Sequence, residues 1–212
     1  MAGVGTKPGV VTEGEAMATG NEDSGVLGRP LHGVNLSGWL VLETWVTPSL
    51  FAGSGAFDEP SLANSMEASR FRELLVAHRE EFVTEVDFTR IAARGFDAVR
   101  LPVPWFVFGA AGPMAGPCEG CIDYVDRAFD WAQAAGIDVL LDVAVVPGAD
   151  PSDPTTFFGD VETFRSVMLD VTAGLCSRYA MRSNFLGIAP VDQVVGQHRR
   201  GLSVVPGVAL HS

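Results

Sequence analysis

Six polar side chains stand where they could do chemistry. Asn35 and Glu43 follow the first apolar run, Arg100 lies near the end of the second, Asp142 near the end of the third, and Asp192 and Gln193 close the fourth. Trp39, Trp45, Trp105 and Phe106 occupy the adjoining segments. Carboxylates move protons or accept from hydroxyls, a guanidinium offers a fork of donors, and aromatic rings pack on the C–H faces of sugars. Together these residue types suggest a carbohydrate cleft. Each also has a structural reading. Trp39 and Trp45 could fill the core under the first loop. Arg100, embedded in an apolar run, needs a carboxylate partner, because an unpaired charge there is costly. Asp142 suits the cap of a following turn.

The histidines and cysteines carry less. His32 precedes Gly33 at a strand start and reads as structural. His78, His198 and His211 share no spacing that makes a metal site. Cys118 and Cys121 form one C-x-x-C, but a zinc site needs four ligands, and a redox pair would open a helix after a strand. Free thiols or a local loop clip are the expectation. No cofactor and no metal are predicted.

The elements that must position these groups follow from hydrophobic period. LHGVNL reads as a short buried strand, and GWLVLETWVTPSLF, broken by Gly38 and Pro48, as a packed loop or short helix. Residues 52–68 are small and polar and read as an excursion. From about Phe71 to Arg94 the apolar residues recur at helical spacing, with Gly95 as a stop. Thr84 followed by Asp87 permits a fresh helix start. FDAVRLPV is a strand stopped by Pro102 and Pro104. Ile122–Ala135 is a helix capped by Gly136, IDVLLDVAV a buried strand, Val161–Tyr179 a helix and FLGIAPV a last short strand. Near-continuous apolar strands alternating with amphipathic helices predict a parallel sheet covered by helices. Neither G-x-x-x-x-G-K-[ST] nor G-x-G-x-x-G opens a helix, so a phosphate cradle has no support. The expected fold is α/β, a TIM-type (β/α)8 barrel of which about four units are present. In such a barrel functional residues sit just past the strand C-termini.

The 212 residues carry 14 basic and 26 acidic side chains, a net charge of −12. That balance repels phosphate backbones, so neither nucleic acid nor a membrane surface is an expected partner. The N-terminal stretch lacks an apolar core, which predicts a cytoplasmic location. Residues 1–28 read as a disordered leader, 29–195 as the half-barrel, and 196–212 as a loop or the start of a further helix.

HGVNLSGWLVLETWVTPSLF at 32–51 resembles the opening of the exo-β-1,3-glucanase branch of glycoside hydrolase family 5. GFDAVRLPVPWF at 95–106 is similar to its second strand, and YVDRAFDWAQAAGIDVLLDVAVVPG at 124–148 to its next helix and strand. The resemblance covers roughly residues 31–195. It implies a (β/α)8 barrel and retaining hydrolysis of β-glucosidic bonds by two glutamates. It implies that Glu43 contacts sugar hydroxyls and that Arg100 supports the nucleophile; Asn35, Trp39 and Trp105, from their type and place alone, are further substrate-binding candidates. The ligand it implies is a β-glucan or β-glucoside.

The sequence departs from the family at two motifs. The third-strand L-L-D-L-H reads Leu140-Leu141-Asp142-Val143-Ala144, with Ala144 in place of a sugar-binding histidine. The fourth-strand N-E-P aligns with Asp192-Gln193-Val194, so Gln193 takes the acid/base position, and no nucleophile strand is found. An amide has no proton to give, and loss of a general acid lowers the rate by about 10²–10⁴. The expectation is a family-level glycosidase whose chain alone is inactive. The alternative is a non-catalytic carbohydrate-binding half-barrel. In either case open sheet edges favour self-association.

Overall fold

The computed structural model describes residues 30–109, 118–147 and 161–191. Leu31 begins a compact unit built on four parallel strands, β1 (Gly33–Asn35), β2 (Ala98–Pro104), β3 (Asp138–Val145) and β4 (Phe185–Ala189), side by side in chain order. Six helices join them: α1 (Pro48–Phe51), α2 (Glu59–Asn64), α3 (Ala68–Glu81), α4 (Glu85–Ala93), α5 (Ile122–Ala135) and α6 (Val161–Tyr179). Consecutive parallel strands with helical crossovers are the first four β/α units of a (β/α)8 barrel.

Strand alternation separates two faces. Val99, Leu101 and Val103 of β2 and Val139, Leu141 and Val143 of β3 are fully buried. They pack in one apolar core with Phe88 of α4, Val125, Ala128, Phe129 and Ala132 of α5 and Leu175 of α6. The residues between them, Arg100 on β2 and Leu140, Asp142 and Ala144 on β3, take the opposite face. That face is where a closed barrel would have its interior.

β2 runs through its prolines rather than stopping at them. The Arg100 carbonyl accepts from Leu36 N–H at 3.0 Å, so residue 100 turns its backbone toward β1. Residue 102, two further on, turns the same way. β1 ends at Asn35, so no ladder partner there calls for an N–H from Pro102. Pro104 stands where the β2–β3 register shifts.

The 52–68 excursion contains a helix that its short length hides from periodicity. Asp58 caps α2, its Oδ1 accepting from Ser61 N–H at 2.8 Å, and Pro60 fits the first turn. Leu62 and Ala63 of α2 join Leu42, Phe51, Phe71 and Leu75 in a second, smaller core. The helix break falls where the Thr84–Asp87 pair allows it. The Asp87 carboxylate accepts from Thr84 N–H at 2.9 Å, starting α4 afresh after α3. Gly136 ends α5 in the left-handed conformation, φ 71°.

Candidate active-site wall

Asn35, Arg100 and Asp142 meet because of register. Asn35 pairs directly with Arg100 across β1 and β2, and Arg100 pairs with Leu140, two residues before Asp142 on the same face of β3. A long arginine spans that diagonal. Its Nη1 donates to Asn35 Oδ1 at 3.0 Å and its Nη2 to Asp142 Oδ2 at 2.6 Å. Asp142 is only 1% exposed and Arg100 29%. Burying a carboxylate is costly unless it is paired, and this charge-assisted bond offsets that cost. Asp142 is thus the partner of Arg100 rather than the cap of a turn.

Glu43 arrives from the loop after β1. That loop is fastened at several points. The Glu43 carbonyl accepts from Val46 and Thr47 N–H groups at 3.0 and 2.8 Å. Gly38 has φ +78°, and a Cβ on it would lie 2.5 Å from Val46 Cγ1, so both backbone and space demand glycine. His78 of α3 donates from Nε2 to the Gly38 carbonyl at 2.7 Å, and the Trp39 indole N–H donates to the Arg79 carbonyl at 2.9 Å. Leu42, beside Glu43, is sunk in the second core. Burial raises the pKa of Glu43 above the ordinary carboxylate range. The Gly38 backbone, the Ser37 hydroxyl, the Arg100 charge and Trp45 each pull it partly back. Among the described residues Glu43 Oε2 is buried with no hydrogen-bond partner.

The aromatic residues divide. Trp39 is not a cleft residue: it is fully buried, stacked on Trp131 with centroids 6.1 Å apart, and belongs to the core. A hydrophobic, loop-borne tryptophan fits either place by type, and the contact with α5 decides. Trp45, two residues after Glu43, is 74% exposed and offers the free ring instead. Trp105 is half-buried at the end of β2, edge-on to Phe106 at 5.4 Å. Ala144 lies on the Arg100 face and is half-exposed. Asp192 and Gln193 lie outside the described residues.

The remaining candidates are structural. Cys118, Cys121 and Cys176 are free thiols. Burial pushes Cys121 up to about 12 and Cys118 up to about 11, which keeps both protonated and unreactive. Among the described residues no group of three or more His, Cys, Asp and Glu side chains could hold a metal ion, and no helix is long and apolar enough to cross a membrane.

The chain is similar to proteins of known sequence. The glucan 1,3-β-glucosidase A described as probable in Aspergillus niger is 35% identical over 172 residues, 77% of this chain and 41% of that protein. Its counterpart in Aspergillus clavatus is 40% identical over 121 residues, 56% of this chain and 29% of that protein. The chain is homologous to the amino-terminal half of family 5 glycoside hydrolases. It spans less than half the length of these curated relatives. No protein-family model matches it. The crystal structure of rutinosidase from Aspergillus niger superposes with a TM-score of 0.65 at 18% identity, and that of AoRut with 0.63 at 22%. Each superposition covers 76% of this chain and 48% of the other. At those identities the likeness speaks for the family 5 barrel fold, and the first four strands here are its first half.

Proposed function

We propose that the chain presents one wall of a β-glucoside pocket. Glu43 and Asn35 take sugar hydroxyls, Arg100 supplies positive potential, and Trp45 and Trp105 offer ring surface. The observation that carries this reading is the buried, unpartnered Glu43 Oε2 beside the Arg100 charge. A buried acceptor without a donor costs about 1–3 kcal/mol. A sugar hydroxyl donating to it would relieve that cost.

For catalysis, retaining hydrolysis needs two carboxyl groups about 5 Å apart. In this sequence Gln193 and Ala144 stand at the acid/base and histidine positions. Asp192 is a carboxyl group able to carry a proton, but it has a shorter arm and a neighbouring place in the sequence. We therefore infer that this polypeptide binds β-glucosides without cleaving them. The relatives' chemistry, hydrolysis of O-glycosyl bonds, is the ancestral activity of the site.

The test is paired. Calorimetric titration with a laminarin-type oligosaccharide should give saturable binding that Glu43→Gln weakens about tenfold, the value of one hydrogen bond to a charged group. An aryl β-glucoside should show no turnover. Equal affinity of the parent and Glu43→Gln chains contradicts the wall. Turnover abolished by Glu43→Gln or Asp192→Asn contradicts the inactive reading.

A further inference from the structure

Arg100 is the one cation of the described wall, and it sits on a strand, where a flexible four-bond side chain would otherwise sample several rotamers. Among the described residues two contacts hold it. Asn35 takes Nη1, and Asp142, fully withdrawn from solvent, takes Nη2 at 2.6 Å. Asn35 is exposed and neutral, so its bond competes with water, whereas Asp142 offers a charged acceptor that water does not reach. Asp142 lies on β3, one strand further from the Glu43 loop than Arg100. It therefore bears on Glu43 through the guanidinium.

Resting on the pocket reading above, we propose that Asp142 is a positioning residue of the wall: its buried carboxylate holds the Arg100 guanidinium beside Asn35 and within electrostatic reach of Glu43. Without it the guanidinium is drawn to solvent, and Glu43 loses the cation that favours its charged form. Asp142 does not touch the sugar.

The experiment follows the Glu43 carboxyl carbon by NMR through a pH titration of the full chain without sugar. With Asp142 present, Arg100→Met should raise the Glu43 midpoint by ~0.5 pH unit or more, since a neighbouring opposite charge is removed. In an Asp142→Ala background the same Arg100→Met change should leave the midpoint where it was. An equal rise in both backgrounds, or none in the first, overturns the proposal. Asp142→Asn keeps shape and acceptor but drops the charge, and it serves if the alanine variant fails to fold. It should lower the Glu43 midpoint, because Arg100 stays in place less neutralised. An unchanged or raised midpoint there also overturns it. The readout uses no ligand, so its failure would leave the calorimetric result on Glu43 intact, and the reverse.

Discussion

The two tryptophans of the first loop, six residues apart, carry opposite duties. Trp39 has no exposed surface, donates to the Arg79 carbonyl and stacks on Trp131. Truncating it leaves a large cavity, so Trp39→Ala should lower unfolding free energy by about 3–5 kcal/mol. Trp45→Ala, at a site 74% exposed, should change stability by less than about 0.5 kcal/mol while weakening oligosaccharide binding. Denaturant unfolding of both variants beside calorimetry of the second checks the pair; loss of stability in Trp45→Ala would contradict it. Residue type and spacing place Asn35 at the end of β1 and Glu43 in the loop that follows, where they are, but Arg100, expected near the end of its strand, is the third residue of β2. They did not tell the tryptophans apart, because both are large, apolar and in one loop. Only the packing of α3 and α5 selects which ring is covered. Nor did they pair Asp142 with Arg100, which takes a register between β2 and β3 that no local pattern encodes.

At the scale of elements, Arg79 ties α3 to α2 and to the segment before α5. Arg79 Nη1 donates to the Gly120 carbonyl at 2.9 Å and its Nη2 to the Glu119 carbonyl at 3.3 Å, while Glu59 of α2 faces Nη2 at 3.4 Å. Both side chains are buried. Burial pushes Glu59 up to about 7, with Arg79 opposing the rise and the Glu119 and Asp58 charges adding to it. A group whose pKa is higher folded than unfolded stabilises the fold at low pH and loses that contribution as pH rises. Stability should therefore decline between about pH 4.5, the ordinary value, and pH 7. Glu59→Gln should flatten that slope in thermal unfolding, and an unaltered slope would contradict the assignment. Helix caps were legible: Thr84 with Asp87 restarts α4, and Gly136 ends α5. α2 was not, because six residues give too few turns for a period to emerge. The end of β2 was misplaced because proline is a strand breaker only where its missing N–H is wanted.

From Leu31 on, the described residues form a sheet with helices packed on one face. Alternation of buried aliphatic residues made the parallel sheet readable, since both its faces and its crossovers are written in local hydrophobicity. Among the described residues the outer edges of β1 and β4 have no strand beside them. We propose that those edges drive the isolated chain to self-associate. Sedimentation should show concentration-dependent assembly, and a monodisperse monomer with a cooperative melt would count against it. The wall itself is tested most directly by a crystal structure of the chain with a β-1,3-linked gluco-oligosaccharide. A glucosyl hydroxyl should donate to Glu43 Oε2, with Arg100 still held between Asn35 and Asp142. A sugar bound elsewhere, or Glu43 Oε2 satisfied by the protein itself while the sugar ignores it, would contradict it.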